Sequence, residues 1–504
     1  MHYSSQQRYA ITPRVDRRIL VALLVLYLIL AVQFALGTPL WQVPDEPAHY
    51  NYVRYITENW ALPELKEGDY SHDYFDTAKR YRFVQMDMTR FRYESHQPPL
   101  YYMLMAPVHA AATGLGLNPV YTIRLASAML GLVALILGYH VVRHVFPDDP
   151  RIALGATAFA AVLPMHVTMV AAVNNDVLAE LMIAAVALQL VKPASPRWTW
   201  QRAALLGATL GLAALTKLQS YVALGLVAGA LAWDCLARQE ADRRLPLRRA
   251  LGLGAIVLAI ALLVVAPWLL RNAHVYGWND LLALQRHDQV VEGQLTTTEF
   301  IRANGVKALV VSFVQTTFQS FWGQFGWMGV VLHPRFYLGA ALLSGVVASG
   351  FVAAVLRVTK ARRRLDQAKL RGAALLLVWG LITLAGYLWW NVSYVQHQGR
   401  YLFPAIVPLG AAFAIGLREV LVGDQRIPYL ALGALLLYLI IDGIRWRNLK
   451  LFSALMTIGT AGLLAAGKRI EERWPGAAMS VIYLAISVYG MYCLYAYIIP
   501  VLSP

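Results

Sequence analysis

Charge is what this sequence has least of. Only 14% of its residues are Asp, Glu, Lys or Arg, while 58% are hydrophobic. A soluble chain of 504 residues would need far more polar surface to cover its core. Cysteine is nearly absent. Cys235 and Cys493 stand far apart, which excludes a disulfide framework and a cysteine-based metal centre. There is no internal repeat of the kind many transporters carry, no low-complexity stretch and no soluble domain. Acidic residues are scarcer than basic ones, 28 against 44, for a formal charge of +16. The basic residues lie in short loops between apolar runs, so the excess reads as the positive-inside bias of a membrane protein and as contact with lipid headgroups, not as nucleic-acid binding.

What is abundant is apolar sequence in runs of bilayer-crossing length. The spacing predicts spans near 19–37, 121–142, 152–173, 177–191, 203–216, 218–236, 250–270, 336–356, 372–390, 401–417, 428–443, 449–467 and 477–499. The fold class is therefore all-α integral membrane, a polytopic bundle of about thirteen transmembrane helices. The first run follows Arg8, Arg14, Arg17 and Arg18 and is longer than a signal-peptide core, so it reads as an uncleaved span with a cytoplasmic N-terminus.

The loops test that topology. Arg143 and Arg151 follow the second span, and Lys192, Arg197 and Arg202 the fourth. Arg238, Arg243, Arg244, Arg248 and Arg249 follow the sixth, and RVTKARRRLDQAKLR the eighth. Arg418 and Arg426 follow the tenth, and Lys468, Arg469 and Arg473 the twelfth. The RWRN step after the eleventh span is a mild exception. The whole chain, 1–504, then reads as one membrane domain with two long outside segments, 38–120 and 271–335, and C-terminal helices over 401–504. Segment 99–115 is apolar, but counting it as a span would invert every later loop. It reads as an interfacial helix, and 306–330 as a similar one.

The first outside segment concentrates the chemistry. Ten of the 28 acidic residues fall between positions 38 and 98. It opens with WQVPDEPAHYNYVRYI, and Asp45 and Glu46 hug the membrane face, where an acid is costly unless it is solvated or functional. A simple N-cap by Asp45 ahead of Pro47 is the plain alternative, and the two roles are compatible. Glu94 and His96 offer a carboxylate and an imidazole one residue apart, as a hydrogen-bonded surface pair or as metal ligands. Asn174, Asn175 and Asp176 end the third span at the same face as Asp45. Lys217, Arg271 and Arg400 are basic residues at outer loop positions. They read either as snorkelling side chains or as a phosphate site, with Gly399 letting the backbone of Arg400 approach a ligand. Trp41, Tyr93, Tyr101, Tyr102, Trp322 and Trp327 form an aromatic belt, with sugar stacking as the sharper reading for Trp322 and Trp327.

Taken together, PDE followed by a tyrosine, the PPLYY helix, the Asn-Asp pair, PWLLRN and GRYLFP resemble the GT-C glycosyltransferases. The branch they are most similar to is the protein O-mannosyltransferase and aminoarabinose-transferase group. The resemblance implies a membrane transferase of the inner (plasma) membrane, with a polyprenyl-phosphate sugar donor and interfacial helices in the first outside loop. The acceptor is left open among glycan, lipid and protein. The resemblance also implies that Asp45 is the acid-base residue, that Asp176 is a second acid, and that Glu94 lies where some relatives place a metal; for taking the acceptor's proton, Glu46 is next in line after Asp45. The usual lysine before the proline is replaced here by His96-Gln97. A divalent ion (Mg, Mn or Zn) is the cofactor so implied. Tyr93, Tyr101, Asn175, Trp322 and Trp327 are the candidate substrate contacts, and Arg400, Lys217 and Arg271 the candidate donor-phosphate contacts. A transporter or lipid flippase, a non-catalytic receptor or assembly subunit, and a lipid-headgroup transferase are the alternatives.

Overall fold

The computed structural model describes residues 12–193, 197–236, 245–360 and 366–503. Among these, ten helices are long and apolar enough to cross a bilayer, or eleven if one bent pair counts as a single span. The protein is a multi-pass, all-α membrane protein. The expected thirteen spans all fall on helices, but Asp176–Val191 and Trp200–Ala214 have 16 and 15 residues, short of the roughly 20 needed to cross alone. Arg8, Arg238, Arg243, Arg244 and the basic stretch 361–365 lie outside the described residues.

The two segments expected to be interfacial differ from the spans in kind. Leu100–Gly114 is a helix of 15 residues. Thr297–Trp322 is capped by a reciprocal Thr296–Glu299 box and broken at Gly305, whose φ is 82°. It gives way after Trp322 to a two-stranded hairpin, Gln324–Phe325 with Val330–Val331, so the expected helix over 306–330 stops early.

Close helix approach rests on small residues, the usual means where lipid offers no hydrophobic drive between helices. At Gly416, in the Ile406–Val422 helix, a methyl group would lie 2.1 Å from the Val347 carbonyl oxygen of Pro334–Lys360.

The bent pair matters most for the site. Pro150–Val162 and Pro164–Val170 meet at 70°. Pro164 has no N–H, so the Ala160 carbonyl loses its helical partner. His166 Nδ1 takes that carbonyl at 2.7 Å, while its Nε2 meets Glu180 Oε2 at 2.9 Å. With Nδ1 donating to the carbonyl, the Nε2–carboxyl contact needs one proton between the two groups. The pair thus staples the bend to the Asp176–Val191 helix and sets where the chain emerges at Asn174–Asp176.

Replacing His166 by Ala leaves Glu180 and the Ala160 carbonyl buried without a partner. It is expected to destabilise the fold by about 3–5 kcal/mol, whereas Glu180→Gln keeps a hydrogen-bonding group and costs less. Thermal unfolding of the two variants in detergent checks this; equal midpoints would sink the staple.

Candidate active site

The segment between Gly37 and Glu46 is short and is held by one buried ion pair. Arg124, in the Pro119–Val145 helix, meets Glu46 through Nε to Oε1 at 2.7 Å and Nη2 to Oε2 at 2.6 Å. Both side chains are 0% exposed. Arg124 also donates to the carbonyls of Ala35, Thr38 and Pro39. Glu46 accepts two backbone N–H groups as well, from Trp41 at 3.1 Å and from Val173 at 3.2 Å. One carboxylate therefore ties the 38–45 turn, the Pro119–Val145 helix and the turn before Asp176 together. Such saturation makes Glu46 a brace, and the proton-accepting role expected for it has no free oxygen to use. Arg124 was missed in the sequence, although a lone arginine inside an apolar span is itself a signal.

Asp45 precedes this brace in the left-handed region, at φ 67° and ψ −3°. That conformation is uncommon for a non-glycine residue and is a form of strain that collects at functional sites. Its carboxylate makes no cap bond to the helix it precedes. It points instead to the Tyr93 hydroxyl, which donates to Oδ1 at 3.0 Å, and to Arg400 Nη2, which donates to Oδ2 at 2.8 Å. Arg400 is 5% exposed and Asp45 25%, so the carboxylate is the more open of the two. Burial would raise the Asp45 carboxyl, but the Arg400 guanidinium, with the Lys217 ammonium behind it, holds it below the usual carboxylate range.

Arg400 is aimed by its own segment. Gly399 packs so tightly on the Thr297–Trp322 helix that a methyl group there would lie 2.4 Å from the Thr317 carbonyl oxygen. The close approach that glycine permits is thus to a helix backbone and not to a ligand. Gln398 Oε1 then accepts from Arg400 Nε at 2.8 Å.

A second ion pair stands beside the first. Lys217 Nζ lies 2.5 Å from Asp176 Oδ1. Asn174 Oδ1 accepts the Asp176 N–H at 2.8 Å, so the cap is made by Asn174 and the Asp176 carboxylate is left for the lysine. Asn175 Nδ2 donates to the Thr216 carbonyl and to the Tyr102 hydroxyl. Tyr102 stacks on Tyr52 at 3.8 Å and bonds His49 Nδ1 at 2.8 Å. Burial, with the nearby Lys217 ammonium, pushes His49 down to about 3, so it stands neutral in the site.

Glu94 closes the cluster. Its Oε2 is buried without a hydrogen-bond partner among the described residues. Burial, and then the Asp45 charge, pushes its carboxyl up to about 7. His96 faces elsewhere: its Nδ1 lies 2.9 Å from the Tyr93 carbonyl oxygen and its ring 4.5 Å from that of His287. Burial and the neighbouring His287 hold it well below the usual imidazole value. Among the described residues no three His, Cys, Asp or Glu side chains are grouped to hold a metal ion. The positive charge beside Asp45 comes from Arg400, so the donor set does not fit a divalent ion.

The remaining candidates are brought to other tasks. Arg271 donates to the carbonyls of Leu62 and Pro63 and lies over the Tyr276 ring, anchoring the loop. Tyr101 is fully buried, and its hydroxyl sits between Ser127 Oγ and the Asn174 N–H. Trp322 packs edge-on against Phe159 and Phe321 in the core. Trp327 stacks on Phe83 and gives its N–H to the Trp41 carbonyl. None of these four has a hydrogen bond to Asp45 among the described residues, whereas Tyr93 touches it directly. His49, Gln398 and Tyr401 join the site although none was singled out in the sequence.

Comparison with known proteins adds the following. The model of DUF2142, a family of predicted membrane proteins, matches residues 56–409. That range holds Glu94, Asp176, Lys217 and Arg400, and Asp45 lies just before it. No curated protein sequence matches. Among solved structures, ArnT from Cupriavidus metallidurans bound to undecaprenyl phosphate is similar at a TM-score of 0.49 and 15% identity, over 95% of this chain and 76% of that one. The Archaeoglobus fulgidus oligosaccharyltransferase tethered to an acceptor peptide gives 0.47 and 14%, over 93% of this chain and 55% of that one, so this chain spans about half its length. The S. cerevisiae protein O-mannosyltransferase Pmt1–Pmt2 complex bound to the sugar donor gives 0.36 and 16%, over 58% and 40%.

A Glu94 carboxyl raised from 4.5 to about 7 binds its proton more tightly folded than unfolded. Its contribution to stability is full below about 4.5 and falls as pH rises toward 7. Glu94→Gln is expected to flatten that slope. Unfolding midpoints measured across this range, wild type against Glu94→Gln, check it, and parallel curves would remove Glu94 as the cause.

Proposed function

The chain belongs to the DUF2142 family of predicted membrane proteins, and we propose that it is a glycosyltransferase moving a sugar from a polyprenyl-phosphate donor to an acceptor hydroxyl. One observation carries the reading. A strained carboxylate, Asp45, stands partly open in a loop between bilayer-length helices, beside a buried cation, Arg400, and a half-buried one, Lys217.

A transfer of this kind needs those parts. The acceptor oxygen attacks the anomeric carbon, and its proton passes to Asp45 Oδ. The bond from the anomeric carbon to the phosphate oxygen breaks, and its electron pair leaves with the phosphate. The anomeric centre inverts. A phosphate leaves as an anion without an acid, but it requires positive charge close by, and Arg400 and Lys217 are the groups that would supply it. The low basicity of Asp45 keeps it ionised and ready at neutral pH. Tyr93, donating to Oδ1, fixes its orientation. Asp176 holds Lys217 in place. Positive charge in the loops after even-numbered spans supports an active site on the outer face of the inner membrane. The acceptor remains glycan, lipid or protein.

The transporter or flippase reading would need a polar route at mid-membrane. The buried His166–Glu180 pair is the nearest candidate, and it is occupied by the helix bend.

Purified protein in liposomes, offered a panel of polyprenyl-phosphate sugars, is expected to release polyprenyl phosphate. Asp45→Asn should lower the rate by roughly 10²–10⁴-fold in a protein that is still folded. Substrate movement across the liposome that survives Asp45→Asn, with no transfer from any donor, would replace this reading with the transporter. Because no carboxylate cluster among the described residues fits a divalent ion, transfer is also expected to survive EDTA. A loss restored by Mg²⁺ or Mn²⁺ would return the metal to the mechanism.

A further inference from the structure

Arg400 is placed to serve two oxyanions. Its Nη2 edge is on Asp45 Oδ2 and its Nε on Gln398, while Nη1 donates to nothing among the described residues. The guanidinium is therefore held through Nε and Nη2, and Nη1 is left for another acceptor. We propose that this open edge takes the donor phosphate, so that a single guanidinium bridges base and leaving group and its charge passes from Asp45 to the phosphate as the sugar is transferred. This rests on the glycosyltransferase reading and adds to it the coupling of the two ends.

The charge balance of the reaction supports it. Before transfer Asp45 carries one negative charge and the phosphodiester one. Afterwards Asp45 holds the acceptor's proton and is neutral, and the phosphate has gained the electron pair of the broken bond. Total charge at the site is unchanged, but it has moved from one end of Arg400 to the other. A guanidinium fork can follow that movement by shifting hydrogen bonds, with no cation entering or leaving. Lys217 cannot do the same for Asp45, because its ammonium is held by Asp176. The remaining polar groups around the pair are Tyr93, Glu94, His49 and Tyr401. None of them is a second fixed cation.

The consequence is specific. Phosphate should bind better when Asp45 is neutral, and better because of Arg400. Asn at position 45 mimics the protonated acid. Binding of farnesyl phosphate, a short polyprenyl phosphate, is measured by calorimetry in detergent for wild type, Asp45→Asn, Arg400→Gln and the double variant. Asp45→Asn is expected to bind more tightly than wild type, by roughly threefold or more. That gain should shrink toward nothing once Arg400 is Gln. If Arg400→Gln does not fold, Arg400→Lys takes its place, since lysine lacks the second edge and the gain must shrink there too. An equal gain in both backgrounds, or weaker binding by Asp45→Asn, overturns the bridge while leaving the donor reading intact. No binding of farnesyl phosphate by wild type overturns the donor reading and the bridge with it.

Discussion

The Glu46–Arg124 pair is the constraint on which the site depends. Removing two charges from water costs several kcal/mol per ion, and only near-complete hydrogen bonding offsets it. Here the offset is complete at the carboxylate: four donors from three chain segments meet two oxygens. The first long loop is thereby fixed to the Pro119–Val145 helix and to the turn that carries Asp176. Asp45, one residue earlier, inherits that fixed position and has little freedom to relax its left-handed backbone. Of two adjacent acids, one is closed to chemistry so that the other can be held open.

The site also follows a consistent electrostatic plan. Each cation has a carboxylate, Arg400 with Asp45 and Lys217 with Asp176, so the pocket is close to neutral without a ligand. That is what a low-dielectric site requires, since an unpaired buried charge is far costlier than a paired one. His49 stays neutral. Only Glu94, with a buried oxygen that has no partner, departs from the pairing rule.

Much of this was legible in the sequence. Bilayer-length apolar runs located the helices, and the clustering of acids in one loop singled out the segment that carries Asp45, Glu46 and Glu94. Asp45, Tyr93, Glu94, Asp176, Lys217 and Arg400 were each marked, and the structure brings all six together. Glu46 and Asp45 could not be told apart, because their difference is one of direction: adjacent residues point to opposite partners, and those partners lie 78 and 355 positions away in the chain. Arg271 and the tryptophans failed for a similar reason. Residue type and loop position are shared by a phosphate ligand and a loop anchor, and only the contacts separate them. The two short helices were counted as spans because hydropathy cannot see where a helix stops.

The sequence by itself determined the class of the molecule, because hydrophobic run length and basic-loop placement are local properties that act on each segment alone. It also determined which loop is chemically rich. Tertiary structure decided which acid is fully buried in its ion pair and which stands partly open beside a cation. It decided as well that the third span bends at Pro164, and that Arg400 meets Asp45. Those outcomes depend on burial and on distance between residues remote in the chain, and a linear pattern of residue types carries neither.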